Sequence, residues 1–214
     1  MLAEGGGARV PLVIGTNRDE WNLFDLPTRT DTDPFPAVVS ELQARGLPAP
    51  PEAIQGLLDD YRRSRREHGL PYHDRALFRA LLGDLRFRMP SIGFAEAHAG
   101  RGLPTYAYLF AYESPALRGA LGACHALELP FVFGTLEAPL QDRFAGKGER
   151  VQALSTSMMQ SWTAFARSGD PSGHIPDDAW PPFEANERRT RIFDLTIRTE
   201  GAPLDAERRA WTRA

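Results

Sequence analysis

The chain has 214 residues, of which 25 are lysine or arginine and 28 are aspartate or glutamate, giving a formal net charge of -3. This small charge provides no general attraction to nucleic acids or acidic membranes. Because Cys124 is the single cysteine, an internal disulfide is excluded. The sequence contains no apolar run of about 18 residues, which is the length that would predict a membrane span.

The first 15 residues contain no recognisable export signal and end in a short apolar segment. Residues 1–10 lack the charged and apolar regions of a signal peptide, which together with the single cysteine favours the cytoplasm and leaves secretion open. Residues 11–15 form an apolar run that ends at Gly15 and is followed by turn-forming residues. Such a run is typical of a strand that is buried on both faces, as in a parallel sheet.

The next part of the chain has helical periodicity. Residues 51–65 place apolar side chains at helical spacing, with a proline at the first position. Two further helices are predicted over residues 75–82 and 91–98. We expect them to be separated near Pro90, because proline blocks the continuation of a helix.

The second half of the chain contains another strand and the longest helix. Residues 106–112 are rich in aromatic side chains and predict a strand. Residues 151–167 carry one apolar stripe, and Gly169 stands where a helix C-cap belongs. Residues 191–194 predict a short edge strand. The pattern is therefore that of an α/β fold, but two parallel strands are too few for a stable open sheet, so we expect the sheet to be incomplete.

Two acidic residues follow the first predicted strand directly, in the stretch Gly15-Thr-Asn-Arg-Asp-Glu-Trp21. In open α/β sheets, functional side chains lie on the loops at the carboxyl ends of strands. An acidic residue in such a loop can hold a histidine in one tautomer and stabilise its charged form. Position alone does not choose between Asp19 and Glu20, and a solvated acidic turn beside Arg18 is the alternative.

A histidine follows the second predicted strand. His125 lies in a loop 105 residues after Glu20, and histidine is the common general base of enzymes because it titrates near neutral pH. A lone histidine is more often structural or solvated. The order of acid and then base does, however, match the later part of the Ser…Asp/Glu…His order in α/β-hydrolases.

Five segments of the sequence occur in an order that is familiar from one enzyme family. They are GTNRDE, DLRFRMP followed by AEAH, LPTYAYLFAYESP, CHALELPFVFG, and SWTAFARSGDPSG followed by WPPFE. Together they closely resemble type-B carboxylesterases, which include the bacterial para-nitrobenzyl esterases and the cholinesterases. The resemblance implies an α/β-hydrolase fold, with residues 1–214 forming the C-terminal portion of a single, incomplete domain.

The same resemblance implies the functional residues. The glutamate of the first segment is the triad acid of the family, which here is Glu20, and the histidine before the E-L-P-F-V-F-G stretch is the triad base, which here is His125. Trp21 departs from the family, where glycine is common at this position. The reaction of the family requires no metal and no cofactor.

The nucleophile of such an enzyme lies in a G-x-S-x-G turn between a strand and a helix, and no such pentapeptide occurs in these 214 residues. In the family, the serine and the oxyanion loop both precede the part that this chain resembles. Loss of the serine alone reduces turnover of a triad enzyme by a factor on the order of 10⁶. We therefore expect the C-terminal part of a serine carboxylesterase that acts on carboxylic esters, inactive without the N-terminal portion of the same domain.

Three other features of the sequence suggest different chemistry. Cys124 beside His125 would suit a thiol hydrolase, but adjacent loop residues usually point apart. Glu67, His68 and His73 have a loose metal-ligand spacing without the three or four ligands of a zinc site. Four nearby arginines are flanked by acidic residues, which predicts a solvated helix end. These arginines are Arg62, Arg63, Arg65 and Arg66.

Two alternatives to an esterase remain at the level of the whole chain. A non-catalytic, cholinesterase-like binding module has no need for both Glu20 and His125, so their presence argues against it. A gene fragment without a biochemical role would keep the same residues, and the sequence does not separate it from part of a longer enzyme.

Overall fold

The structure is a computed structural model that describes residues 7–25, 35–44, 50–172 and 179–212. The strands in these ranges are β1 (Leu12–Asn17), β2 (Thr105–Phe110), β3 (Arg189–Phe193) and β4 (Arg198–Gly201). The α-helices are α1 (Phe35–Ala44), α2 (Pro51–Glu67), α3 (Asp74–Gly83), α4 (Met89–Ala99), α5 (Leu129–Val132), α6 (Gln141–Phe144), α7 (Glu149–Ser168) and α8 (Asp205–Trp211). Among the helices described, none is long and apolar enough to cross a membrane.

The four strands form one sheet in the order β1-β2-β3-β4. The first three strands are parallel, and β4 runs antiparallel to β3. Leu12 stands opposite Thr105 and Asn17 stands opposite Phe110, so β1 and β2 end side by side. This arrangement confirms the predicted α/β fold and brings the loops after β1 and β2 to the same edge of the sheet.

The prediction of an edge strand at residues 191–194 was wrong. The strand is β3, which lies inside the sheet, because a short turn after Phe193 returns the chain as β4 along its free side. The sequence of β4 is charged and contains no apolar alternation, so its pairing with β3 could not be read from hydrophobicity.

The two faces of the sheet pack against different helices. Tyr106 and Phe110 of β2 belong to the main core with Met158 of α7. The alternate residue Ala107 packs on the opposite face with Ala95 of α4. Because side chains alternate along a strand, the continuous apolar runs of the sequence correspond to burial on both faces. The predicted C-cap of α7 is confirmed, since Gly169 adopts a left-handed conformation with φ of 77°.

The helix break predicted near Pro90 does not occur. A π-helical turn (Asp84–Arg88), here called the π-turn, joins α3 directly to α4. Within it the N–H of Met89 donates to the carbonyl of Asp84, one residue further than in an α-helix. The wider turn makes room for the Pro90 ring, which in a regular helix would clash with the carbonyl four residues earlier.

A second core lies under α8, between α2, α3 and α1. Tyr61, Leu77 and Leu81 are fully buried in it, and Ala210 of α8 completes it. Arg65, which was predicted on a solvated helix end, is also buried here, with its Nε donating to the carbonyl of Pro71 at 2.6 Å. The chain folds back over the end of α2 after residue 68, and this return covers Arg65.

Candidate active site

Glu20 and His125 meet at the carboxyl edge of the sheet. Glu20 begins a 3-10 turn (Glu20–Leu23) shortly after β1, and His125 lies in the loop after β2. Their side chains form a hydrogen bond of 2.7 Å between His125 Nδ1 and Glu20 Oε2. Parallel pairing of β1 and β2 therefore joins two residues that are far apart in the sequence.

The Glu20 carboxylate is almost fully enclosed, with a side-chain exposure of 7%. Its Oε1 accepts a hydrogen bond of 2.8 Å from the backbone N–H of Asn17. Burial raises the pKa of Glu20, while the hydrogen bonds from Asn17 and His125 oppose the rise and the nearby Glu128 carboxylate adds to it. Because an ionised carboxylate can only accept, its contact requires the His125 proton on Nδ1 and leaves Nε2 as the free base nitrogen.

The imidazole of His125 is open to its surroundings on the side away from Glu20. Its side chain is 41% exposed, and within the described part of the chain no hydrogen-bond partner lies at Nε2. Two phenylalanine rings border it, Phe24 at 5.2 Å and Phe87 at 5.1 Å between ring centroids. The arrangement holds the ring by one end and leaves the basic nitrogen accessible to a reacting group.

Asp19 and Glu20, which are equal candidates by their position after β1 alone, have different contacts. The backbone N–H of Asp19 donates to the carbonyl of Ala123 at 2.9 Å, and its carboxylate accepts the N–H of Ala123 at 3.0 Å. Arg18 also donates to this carboxylate at 2.8 Å. Asp19 thus connects the two loops, whereas Glu20 is the carboxylate that contacts the histidine.

Asn17 is a site residue that the sequence reasoning missed. Its side-chain amide donates to the carbonyl of Cys124 at 2.7 Å and to the carboxylate of Glu128 at 2.5 Å. With its backbone N–H on Glu20, this residue contacts both loops. Its place inside the Gly15–Trp21 stretch, at the very end of the strand, was the signal that could have identified it.

The two aromatic neighbours of His125 were missed as well. Phe24 lies only four residues after Glu20, in the segment after β1 that is here called the acid loop (residues 18–25), and this closeness was a usable signal. Phe87 reaches the histidine from the π-turn, and nothing in the local sequence indicates that contact. The ring of Trp21 packs on Phe24 at 5.1 Å and beneath the guanidinium of Arg86 at 5.5 Å.

The two other chemistries considered from the sequence find no support in the geometry. Cys124 is fully buried, and burial raises the pKa of its thiol to about 12, so the thiol is protonated and unreactive near neutral pH. Among the described residues, no group of three or more histidine, cysteine, aspartate or glutamate side chains is placed to hold a metal ion.

The chain is similar in sequence to known esterases. The sequence profile of the Carboxylesterase family matches residues 1–210. The para-nitrobenzyl esterase of Bacillus subtilis is 32% identical over 207 residues, which cover 97% of this chain and 39% of that protein. Carboxylesterase 1E of Mus musculus is 30% identical over 210 residues, covering 92% of this chain and 35% of the mouse protein.

The fold is shared with solved structures of carboxylesterases. A Geobacillus stearothermophilus carboxylesterase superimposes with a TM-score of 0.72 at 33% identity, covering 98% of this chain and 42% of that one. The chain spans about two-fifths of the length of the relatives it matches, 39% for the Bacillus enzyme. It therefore contains part of an α/β-hydrolase fold and belongs to the carboxylesterase family, the type-B carboxylesterases that include para-nitrobenzyl esterase and the cholinesterases.

Proposed function

We propose that this chain carries the acid and the base of a serine carboxylesterase, and that the nucleophilic serine and the oxyanion donors come from residues outside these 214. The observation that carries the proposal is the 2.7 Å hydrogen bond between Glu20 and His125, with Nε2 of the imidazole left open. Within the family, this pair corresponds to the triad acid and base. The substrate class is carboxylic esters.

The geometry suits a two-step transfer of the acyl group. Nε2 of His125 removes the proton from the serine hydroxyl as its oxygen bonds to the ester carbonyl carbon. The same proton then passes to the leaving alcohol oxygen as the C–O bond of the ester breaks. Water repeats the sequence on the acyl-enzyme and releases the acid. In both steps Glu20 orients the ring and stabilises the imidazolium.

Two features support a nucleophile located outside this chain. The sequence contains no G-x-S-x-G pentapeptide. In addition, Val13 and Ile14 of β1 contribute to cores on opposite faces of the sheet, as in an interior strand. Within the described residues β1 pairs on one side only, so its other edge is available to a parallel strand from an N-terminal portion of the same domain.

The proposal makes the 214 residues by themselves inactive. Release of p-nitrophenol from p-nitrophenyl acetate is the measurement, with the His125→Ala variant as its control. We expect the chain and the variant to match the rate of an equal concentration of free imidazole or less. Faster hydrolysis that disappears in His125→Ala would contradict the proposal, because it would require a nucleophile within this chain.

The origin of the serine is tested separately. An in-frame segment containing a G-x-S-x-G turn in the DNA upstream of the Met1 codon would identify the missing part. A stop codon directly upstream would favour a gene fragment instead. A non-catalytic binding module has no observation in its favour, since it does not require the buried carboxylate of Glu20 to be paired with an open histidine.

A further inference from the structure

The acid loop and the loop after β2 that carries His125, here called the histidine loop, are connected by Asn17 and by the Glu20–His125 pair. They are also connected at a third place, here called the loop junction, which is formed by Asp19 and the backbone of Gly122 and Ala123. Two hydrogen bonds connect Asp19 and Ala123 in opposite directions, one from each backbone N–H. Asn22 adds a third contact by donating its side-chain amide to the carbonyl of Leu121 at 3.0 Å. The junction lies one residue before Glu20 and two residues before His125, so it fixes the starting points of both side chains.

The junction has no space for a side chain on the histidine loop. Gly122 has φ of 55°, which is unfavourable for residues with a Cβ, and a Cβ added there would lie 2.6 Å from Oδ2 of Asp19. The carboxylate therefore occupies the place that a side chain at position 122 would take. A glycine at this position is what allows Asp19 to reach the N–H of Ala123.

The Asp19 carboxylate also interacts with two arginines. Arg18 donates to Oδ2 through Nε at 3.0 Å and through Nη2 at 2.8 Å, and the buried Arg65 lies 3.9 Å from Oδ1. Through Arg65 the junction is connected to the end of α2. Oδ2 thus has a fixed position, and the N–H of Ala123 is fixed with it.

We propose that Asp19 is a positioning residue for the proposed reaction: it sets the separation of Glu20 and His125 by holding the histidine loop through Ala123. The inference rests on the proposed function, since it concerns the same pair of side chains. A triad tolerates little misplacement, because an error of about 1 Å in the reacting geometry can reduce the rate by a factor on the order of 10². Glu20 makes one contact with His125 and cannot by itself hold the loop that carries it.

The test uses the 214-residue chain labelled with ¹⁵N at histidine. A proton shared between an imidazole Nδ1 and a carboxylate gives a far-downfield ¹H signal, which reports the Glu20–His125 hydrogen bond without any need for activity. We expect this signal in the unaltered chain and its loss in Glu20→Ala, which assigns it. We expect Asp19→Ala to lose the signal as well, and Asp19→Asn to keep it, because asparagine retains an oxygen acceptor for Ala123.

Asp25→Ala is the matched control. Asp25 lies on the same acid loop, its side chain is 4% exposed against 10% for Asp19, and it pairs with Arg75 and Arg79 of α3. We expect it to lower the melting temperature and to leave the Nδ1 signal in place. A purely structural role for Asp19 predicts instead that both alanine variants affect the signal in proportion to their loss of stability, which would overturn the proposal.

Gly122→Ala tests the junction from the opposite loop and replaces Asp19→Ala if that variant does not fold. Its added methyl group would push the Asp19 carboxylate away from Ala123, so we expect the signal to be lost. A downfield signal that is unchanged in Asp19→Ala or in Gly122→Ala would overturn the positioning role alone. Absence of the signal from the unaltered chain would contradict the proposed function and this inference with it.

Discussion

Two buried glutamates, Glu20 in the site and Glu207 on α8, show how the exposure of a partner decides what a carboxylate can do. Their side chains are 7% and 1% exposed, and burial raises the pKa of each carboxyl group. Glu20 faces an imidazole that is open on its far side, so charge and protons can move outward through His125. Glu207 faces Arg88, which is 8% exposed and already bound by another carboxylate, so its interactions end inside the fold.

The surroundings of Glu207 form a closed cluster. Arg88 donates to Asp84 Oδ1 through Nε at 2.7 Å and to Glu207 Oε2 through Nη2 at 3.3 Å. Tyr61 donates its hydroxyl proton to Asp84 and accepts the indole N–H of Trp211 at 2.6 Å. Together these contacts connect α8 to α2 and to the π-turn. The cluster stabilises the fold only while its charges remain paired.

The largest effect on stability is expected from Arg88→Met. This variant removes the guanidinium that Asp84 and Glu207 share inside the fold, and breaking a buried ion pair in this way costs about 3–5 kcal/mol. Urea unfolding at pH 7 measures the change. Arg63→Ala is the control, since its ion pair with Asp60 is on the surface and should contribute less than about 1 kcal/mol. Equal losses of unfolding free energy in the two variants would contradict the claim that the buried ion pairs of Arg88 contribute more to stability than an ion pair on the surface.

The second-largest expected effect is a pH dependence of the free energy of unfolding, which arises from Glu207. Desolvation, reinforced by Asp84, raises the pKa of this carboxyl group to about 7 from an ordinary value of 4.5. The folded chain therefore holds the proton more tightly than the unfolded chain, and the contribution to stability is present below pH 4.5 and is lost as the pH rises through about 7. At about 1.4 kcal/mol per pKa unit, the difference is on the order of 3 kcal/mol.

Glu207→Gln isolates this contribution. The amide stays neutral at every pH, so we expect the variant to become more stable relative to the parent chain, with a relatively larger free energy of unfolding, as the pH rises from 5 to 8. Urea midpoints at both pH values measure the change. A constant difference between the two proteins across this range would show that Glu207 titrates as an ordinary carboxyl group.

The smallest effect on stability is expected from Glu20→Gln. Glutamine has a single side-chain oxygen, so it can accept from the Nδ1–H of His125 or from the N–H of Asn17 but not replace both acceptors, and one hydrogen bond contributes about 1 kcal/mol net. We expect a loss of unfolding free energy of about this size at pH 7. A loss as large as that of Arg88→Met would mean that Glu20 serves the fold rather than the chemistry.

The sequence could predict that an acidic residue and His125 meet, because both follow strands of a parallel sheet, where side chains of the connecting loops gather at one edge. Strand position could not separate Asp19 from Glu20, since neighbouring residues of a turn point in different directions, and the choice of Glu20 came from the resemblance to type-B carboxylesterases. The π-turn and its Phe87 also escaped prediction. Proline disfavours a helix locally, and the helix continues here because a wider turn accommodates the ring.

The burial of Arg65 has a similar explanation. Its run of arginines looks solvated, but the return of the chain at Pro71 and the packing of α8 enclose this one member. Such contacts join residues that are distant along the chain, so neither periodicity nor local charge predicts them. The same is true of β4, whose charged residues become a strand only because β3 offers a free edge.

The most direct test of the central claim joins the first three-fifths of the Bacillus subtilis para-nitrobenzyl esterase to this chain and measures hydrolysis of p-nitrophenyl acetate. We expect an active chimaera, with turnover reduced by a factor on the order of 10⁶ in His125→Ala and on the order of 10⁴ in Glu20→Gln. Activity that is unchanged by His125→Ala, or a cooperatively folded chimaera without hydrolysis, would contradict that claim.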